Sequence, residues 1–320
     1  MVLSVPGAVV VTGAAGFIGR ALVDHLRAAG REVRPVVRED RGGIEGAIAP
    51  GPLEQASPDA LARVLDGAAA VVHLAARAHA TGDRGGDAEA AYRAANVDAT
   101  SRLARAAVAA KVPRFVLASS VKVNGEATLP GRPFRPDDPP APLDAYGRSK
   151  RDAELALAGA CRGSSTAAIV LRLPLVVGPG ARGNVARLVD AIAAGRTLPL
   201  GAIDNRRSVL GLANLCDAIV AALDAQPAPS GVHFVADAGT VSTPALVRAI
   251  AAALGRPVPL AFVPVALLKL GARLAGKSAE IGRLAGSLEV DASSFAAATG
   301  WRPEHPLAEE LARLARSRPA

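Results

Sequence analysis

The sequence predicts an α/β protein with a doubly wound parallel sheet in a first domain and a smaller, discontinuous C-terminal domain. Apolar, β-branched runs alternate with Ala- and Leu-rich stretches of helical length over the first half of the chain. This alternation is typical of a parallel sheet that helices cover on both faces. After Gly178, prolines and glycines become frequent and the alternation is lost, which indicates a second unit. We therefore assign residues 1–175, rejoined by about 206–240, to the first domain and residues 176–205 and 241–320 to the second.

The individual elements follow in chain order from the same patterns. Residues 8–12 form an apolar strand, residues 18–29 a helix ended by Gly30, and residues 32–37 the second strand. The next predicted elements are helix 58–65, strand 69–75, the long Ala-rich helix 90–110, strand 114–119, helix 146–160 and strand 167–173. A strand at 231–236 is predicted to return to the sheet, and the end of the chain is predicted to be helical.

Composition and charge disfavour several classes of protein. The net charge is +8, but the basic residues are spread along the whole chain and aromatic residues make up only 3%, so we predict no nucleic-acid partner. Cys161 and Cys216 have neither metal-ligand spacing nor a framework of further cysteines, which predicts a reduced, cytoplasmic protein without a metal site. The uncharged segment 257–268 contains three prolines and is too short to cross a bilayer. We predict that it is buried or forms a lid, without stable membrane insertion.

Three glycines lie between the first strand and the first helix, in VVVTGAAGFIGRALVDHL. Gly13 permits a tight turn, Gly16 lets the backbone approach a pyrophosphate, and Gly19 lets the helix pack closely on the strand. The helix N-terminus, with Phe17 and Ile18, offers free N–H groups and a positive dipole end to the anion. This pattern between a strand and a helix predicts a Rossmann dinucleotide-binding domain. A glycine-rich turn without a ligand is the alternative.

The end of the second strand bears on the choice between NAD and NADP. A carboxylate there binds the adenosine ribose hydroxyls, whereas an arginine suits a 2′-phosphate. The sequence GREVRPVVRED places Val37 at the strand end and Arg38 next to it, so NADP(H) is the preferred cofactor. Glu39 and Asp40 follow closely and would serve NAD(H) if the register differs by one or two residues. A solvated loop position is the alternative for Arg38.

Tyr146 and Lys150 lie four residues apart in a predicted helix and therefore share one face. An ammonium near a phenol favours the phenolate and lowers its pKa from about 10, which makes the tyrosine a usable general acid or base. The same lysine can bind the nicotinamide ribose. Ser119 and Ser120 end a strand, where α/β folds bind ligands, and offer a hydroxyl to polarise the reacting oxygen. Tyr-x-x-x-Lys alone is common by chance; together with the glycine loop and the serine pair it predicts an active site.

The order of the segments TGAAGFIG, VVHLAA, NVDAT, SSVKVNG, YGRSK, LRLPLVVGPG and GWRP resembles the extended short-chain dehydrogenases/reductases. Within them, the chain is similar to the nucleotide-sugar epimerases, dehydratases and ketoreductases, over essentially its whole length. The resemblance implies that Ser120 is the catalytic serine and that Asn96 supports the catalytic lysine. It implies cofactor contacts by Leu74, Ala75, Ala76 and Pro174. It implies contacts with a UDP-sugar substrate by Ser120, Lys122, Asn124, Asn184, Val185 and Arg207, with Arg207 as the clamp of the diphosphate.

Departures from the family pattern narrow the reaction. Sugar 4,6-dehydratases carry an Asp-Glu pair directly after the catalytic hydroxyl, and this chain has Val121 and Lys122 there. Without those carboxylates the elimination lacks its acid and base, so we reject a dehydratase. Pro52 replaces an aspartate that commonly contacts adenine, which leaves the backbone or Leu53 for that contact. Asn124 replaces a tyrosine on the substrate side.

Two reactions remain, and in both a hydride passes between nicotinamide and sugar C4 while Tyr146 handles the O4 proton. Arg38 and the missing strand-end acid favour an NADPH-dependent 4-ketoreductase; the alternative is an NAD-dependent UDP-sugar 4-epimerase. The segments SSVKVNGE, DDPPAPLDAYGRSK, LPLGAIDNRRS and RLAGSLEVD also resemble the bacterial UDP-4-keto-6-deoxy-N-acetylhexosamine 4-reductases of O-antigen synthesis, the UDP-N-acetylquinovosamine type. We therefore expect a UDP-4-keto-6-deoxy sugar as the substrate.

Further expectations concern partners. The resemblance implies a homodimer through helices 90–110 and 146–160. A catalytically silent NADP-binding protein is disfavoured, because all three catalytic side chains are present. Lys269, Arg273 and Lys277 recur every four residues beside an apolar face, which fits a membrane surface or a solvated lid helix near an anionic substrate. We favour the lid helix.

Overall fold

A computed structural model describes residues 7–39, 43–78, 86–274 and 278–317. Its eight strands are β1 (Ala8–Thr12), β2 (Val33–Val36), β3 (Ala68–His73), β4 (Arg114–Ser120), β5 (Ala167–Leu173), β6 (Leu175–Val177), β7 (Val209–Gly211) and β8 (Gly231–Phe234). Six of them form one parallel sheet in the order β2-β1-β3-β4-β5-β8, and β6 pairs with β7 in a separate parallel pair.

Twelve α-helices surround these strands in the described part of the chain. They are α1 (Phe17–Ala28), α2 (Pro58–Leu65), α3 (Gly86–Tyr92), α4 (Ala99–Ala109), α5 (Ala145–Cys161), α6 (Asn184–Ala193), α7 (Leu212–Asp224), α8 (Thr243–Ala253), α9 (Val265–Leu274), α10 (Ser278–Ala285), α11 (Ser293–Thr299) and α12 (Leu307–Arg316). A π-helical segment, Arg93–Asp98, joins α3 to α4, and a 3₁₀ turn, Val121–Val123, follows β4.

The main sheet is buried on both faces, which explains its near-continuous apolar strands. All five residues of β1 are buried. One apolar core lies between the sheet and helices α1 and α7, and a second lies between the sheet and helices α2, α4 and α5. The strands β1 and β3 are parallel, but the order in which successive strands are added to the sheet reverses between them. The carboxyl ends of these two strands therefore flank the crevice where doubly wound folds bind ligands.

A third apolar core lies beyond the main sheet, between α6, α8 and α12. Val189, Val247 and Leu311 are almost fully buried there. This core belongs to the residues that we predicted as the second domain. The division of the chain into a cofactor domain and a substrate domain stays a prediction.

The predicted fold class is confirmed, and so are most of the element positions. Strand 231–236 returns to the sheet as β8, parallel to β5. The predicted helix 90–110 is interrupted, because the π-helical turn inserts between α3 and α4. No helix in the described residues has the length and apolarity that crossing a membrane requires.

Candidate active site

The glycine loop after β1 packs against backbone on two sides. Gly13 has a φ of +68°, and a Cβ there would lie 2.7 Å from the amide nitrogen of Ala75 and 2.9 Å from the carbonyl carbon of Leu74. A Cβ at Gly19 would overlap the carbonyl oxygen of Gly13. No side chain in the described residues caps α1, which begins directly after Gly16. The loop is therefore a backbone cradle that leaves the first N–H groups of α1 available to a pyrophosphate.

The other residues predicted to contact the cofactor differ in exposure. Arg38 follows β2 with a side chain that is 63% exposed, and its guanidinium lies 3.8 Å from the carboxylate of Glu54. Leu53 is buried in the core, so its side chain has little surface to offer to an adenine. Ala76 is exposed just beyond β3, whereas Pro174 is buried between β5 and β6. Asp40, the alternative ribose ligand, lies outside the described residues.

Tyr146 lies in the first turn of α5, which Asp144 caps by accepting a hydrogen bond from the Gly147 N–H at 2.7 Å. The phenol is hydrogen-bonded to the hydroxyl of Ser120, at the carboxyl end of β4. Burial raises the pKa of Tyr146 to about 12; the Ser120 bond lowers it, and the charge of Asp144 raises it further. The predicted lowering of this pKa by Lys150 is therefore wrong, because desolvation outweighs every other effect on the phenol.

Lys150 is 3% exposed, one turn after Tyr146 in α5. Burial lowers the pKa of its ammonium to about 8, against the negative charge of Glu154 that raises it. Within the described residues, the ammonium has no hydrogen bond and no ion pair. Its N–H donors are therefore available to a ligand. The hydroxyls of a dinucleotide ribose fit this donor, just as a diphosphate fits the glycine cradle.

Asn96 connects the π-helical segment to the tyrosine. Its side chain accepts a hydrogen bond from Arg77 N (2.7 Å) and donates to Arg77 O (3.1 Å) and to the Ser149 hydroxyl (2.9 Å). Ser149 in turn donates to the carbonyl of Tyr146 at 2.8 Å. Asn96 thus supports the backbone of the catalytic helix; a contact with Lys150 itself stays a prediction.

A buried hydrogen-bond chain continues from Asn96 to the glycine loop. The Thr100 hydroxyl donates to Asn96 O (2.6 Å), so it accepts from Nε2–H of His73 (3.1 Å). Nδ1 of His73 then carries no proton and accepts from the Thr12 hydroxyl (2.7 Å), which accepts from the Ala75 N–H (3.3 Å). Burial, and then the charge of Lys150, lower the pKa of His73 to about 3. The chain therefore requires a neutral imidazole with its proton on Nε2.

Lys122 lies beside the phenol of Tyr146. Its ammonium is 6.0 Å from the centre of the Tyr146 ring. It is hydrogen-bonded to Asp144 and lies 3.3 Å from the carboxylate of Glu126. Although burial raises the pKa of Asp144, the hydrogen bond from Lys122 and that from Gly147 keep it below its ordinary value. The structure therefore places the ammonium of Lys122 next to Tyr146. The neighbouring carboxyl group of Asp144 is ionised and does not offer a proton.

Asn124 does not line an open substrate wall. It is 3% exposed, and its amide oxygen accepts a hydrogen bond from Arg172 at 2.9 Å. Arg172 also forms a two-point ion pair with Glu154, at 3.0 and 2.7 Å, and the hydroxyl of Ser119 donates to the same carboxylate. A buried guanidinium needs several acceptors. Arg172 therefore occupies the amide oxygen of Asn124 in this structure, and the contact of Asn124 with a substrate stays a prediction.

Three further residues were predicted to contact the substrate. Asn184 is exposed at the start of α6, and Val185 is buried in the third core. Arg207 donates from one terminal nitrogen to the carbonyls of Arg283 (2.6 Å) and Gly286 (2.9 Å), at the end of α10. Burial lowers the pKa of Arg207. Their contacts with a substrate stay predictions.

Sequence reasoning missed two residues of this region. Tyr92, the other tyrosine of the chain, packs its ring 6.0 Å from the ring of Tyr146. The available signal in the sequence was its position four residues before Asn96, because residues at that spacing lie on one face of a helix. The sequence predicted no role for His73, which lies in the segment VVHLAA. A histidine at the end of an otherwise apolar buried strand was the signal in that case.

The cradle, the phenol and the unpartnered ammonium meet at the carboxyl ends of β1, β3 and β4, beside the switch point of the sheet. On a doubly wound sheet, this combination defines an NAD(P)-dependent enzyme of the short-chain dehydrogenase/reductase type. The comparison with protein families is more specific. The chain belongs to the NAD dependent epimerase/dehydratase family, whose model matches residues 9–236.

Individual relatives extend over nearly the whole chain. A UDP-glucose 4-epimerase of Vibrio cholerae is 37% identical over 314 residues, which are 98% of this chain and 95% of the relative. A dTDP-6-deoxy-L-talose 4-dehydrogenase (NAD(P)(+)) of Kitasatospora kifunensis is 32% identical and covers 81% of this chain and 83% of its own. Among solved structures, MoeE5 in complex with UDP-glucuronic acid and NAD has a TM-score of 0.78 at 29% identity, covering 97% of this chain and 98% of MoeE5.

Proposed function

We propose that this protein is an NADPH-dependent oxidoreductase that reduces the C4 keto group of a UDP-4-keto-6-deoxy sugar, a 4-ketoreductase of the UDP-N-acetylquinovosamine type. The observation that carries the proposal is the position of Tyr146 in the first turn of α5, beside Ser120 at the end of β4, with the buried Lys150 one turn later in the same helix. The second candidate is an NAD-dependent UDP-sugar 4-epimerase, which the Vibrio cholerae relative favours.

Each residue has one task in this proposal. A bound nicotinamide supplies the hydride. Tyr146 donates its phenolic proton to the carbonyl oxygen, and Ser120 orients that oxygen with a second hydrogen bond. The ammonium of Lys150 holds the ribose, and the loop from Gly13 to Gly19 holds the pyrophosphate. Arg207 binds the diphosphate of the substrate with the guanidinium N–H groups that are not bonded to the carbonyls of Arg283 and Gly286.

One observation of this structure favours an NADPH-dependent reduction over epimerisation. Arg38 is exposed where the adenosine ribose of a Rossmann cofactor lies, and its guanidinium suits a 2′-phosphate. The relative from Kitasatospora kifunensis, named for the oxidation of a 6-deoxy sugar at C4 with NAD(P), supports the same reaction type.

The identity of any retained nucleotide separates the two candidates. An epimerase returns the hydride to the same sugar, so it keeps its NAD, whereas a reductase must exchange its cofactor. The purified protein is denatured and the supernatant is analysed for NAD and NADP by chromatography. We expect an empty protein that oxidises NADPH only when a UDP-4-keto sugar is added. Retained NAD, with interconversion of UDP-glucose and UDP-galactose, would establish the epimerase instead.

The two tyrosines provide a matched test of the proton donor. Tyr146→Phe removes the phenolic proton and should lower turnover by about a thousandfold, while the affinity for the dinucleotide stays nearly unchanged. Tyr92→Phe keeps the ring that packs on Tyr146 and should change turnover only a few-fold. Stopped-flow or steady-state oxidation of NADPH measures both variants. Full activity of Tyr146→Phe would remove the tyrosine from the mechanism.

A further inference from the structure

Helix α9 carries a row of leucines that project into solvent. Leu267, Leu270 and Leu274 are 57%, 54% and 85% exposed, and Phe262, just before the helix, is 78% exposed. At 100° per residue the three leucines fall within about 60° of the helix circumference. Ala272, on the opposite side, is buried against the protein. The segment 257–268, predicted to be buried or to form a lid, is therefore not buried at Phe262 and Leu267, and the lid stays a prediction.

The charged residues of α9 itself all have one sign. Lys269 and Arg273 are exposed and lie one turn apart, along one edge of the leucine row. The sequence from Ala261 to Leu274 contains no Asp and no Glu. The predicted third cation of this series, Lys277, lies outside the described residues. The surface thus combines a narrow apolar row with a flanking strip of positive charge.

In place of the lid helix that the sequence favoured, we propose that this surface, Phe262 with the exposed residues of α9, docks on an anionic phospholipid membrane. Helices that lie in a membrane interface have an apolar face buried at the acyl boundary and Lys or Arg at the headgroups. A second copy of the chain is a poorer occupant, because an antiparallel two-fold pairing of α9 would bring the edges that carry Lys269 and Arg273 together. The surface is also a convex helix and not a groove, which fits a deformable, planar partner. The docking is independent of the reaction proposed above.

Vesicle co-sedimentation of the full chain tests the docking. Vesicles of phosphatidylcholine alone are compared with vesicles that also contain phosphatidylglycerol, at low and high salt. We expect binding only to the anionic vesicles, and weaker binding at high salt. Changing both Lys269 and Arg273 to Gln should weaken this binding about thirtyfold. The matched control changes Arg63 and Arg162, two exposed arginines of other elements, to Gln and should have almost no effect.

The leucines are tested in the same way. Changing Leu267, Leu270 and Leu274 together to Gln should weaken binding at least about tenfold. The control triple variant changes three other exposed leucines to Gln and should bind like the wild type; they are Leu129, Leu143 and Leu155. Circular dichroism verifies that each variant is folded. Three outcomes would overturn the proposal: no binding of the wild type, equal binding of both leucine variants, or an α9 variant that only changes the oligomeric mass.

Discussion

The buried imidazole of His73 should make the stability of the fold depend on pH below about 6.5. Its pKa falls from 6.5 in an ordinary environment to about 3 in the fold. Between these values the unfolded chain binds one proton more than the folded chain. The free energy of unfolding therefore decreases by about 1.4 kcal/mol for each pH unit of acidification in that window. Between pH 6.5 and pH 5 the expected loss from His73 alone is about 2 kcal/mol.

His73→Gln separates this contribution from those of other groups. At neutral pH the variant should be less stable by about 1–3 kcal/mol, because the Thr12 and Thr100 hydroxyls lose partners. Acidification to about pH 5 should then narrow the gap between variant and wild type by about 2 kcal/mol, since glutamine does not titrate. Urea unfolding followed by circular dichroism at both pH values measures the gap. His233, whose pKa burial also lowers, is present in both proteins. A gap that does not change with pH would refute the buried neutral imidazole.

Three further predictions concern the cofactor site. Because the pKa of Lys150 is about 8, the turnover of the wild type should fall above that pH. The residual turnover of Lys150→Arg should stay level over the same range. A wild-type pH profile without that fall contradicts the role of the ammonium. Gly19→Ala should raise the Kd of the dinucleotide and lower the melting temperature, since its Cβ would overlap Gly13 O. The control Gly159→Ala, with nothing within 4 Å of its Cβ, should stabilise the fold by up to about 1 kcal/mol. Arg38→Leu should weaken NADPH binding by about 10- to 100-fold and leave NADH binding unchanged; an equal loss for both cofactors, measured by fluorescence titration, would mean that Arg38 does not select the phosphate.

The sheet and its helices were predictable because their signals are local. Strand β1 has no polar residue before Thr12, and Gly13, Gly16 and Gly19 leave few alternatives to a turn that packs on a helix. The proximity of Ser120 to Tyr146 was predictable for another reason: a strand end and a helix start at the same edge of a parallel sheet meet there. Such features depend on the chain near each residue and on general rules of topology.

The pKa values and the polar network were not predictable, because they depend on burial and on residues far apart in the sequence. The spacing of Tyr146 and Lys150 was read correctly, but a spacing gives no information on desolvation, which raises one pKa and lowers the other. Asn124 is separated by 48 residues from the arginine that binds it. No pattern within either segment indicates that contact.

The guanidinium of Arg207, the proposed clamp of the substrate diphosphate, is held in place by the end of α10. One terminal nitrogen of its guanidinium holds the carbonyls of Arg283 and Gly286, and the amide of Gly286 closes the last turn of α10 on Gly282 O at 2.9 Å. The direction of the remaining donors therefore changes whenever that turn changes. If Arg207 binds the diphosphate as proposed, a substitution in the short segment after α10 would change the affinity for that diphosphate even with Arg207 itself unchanged.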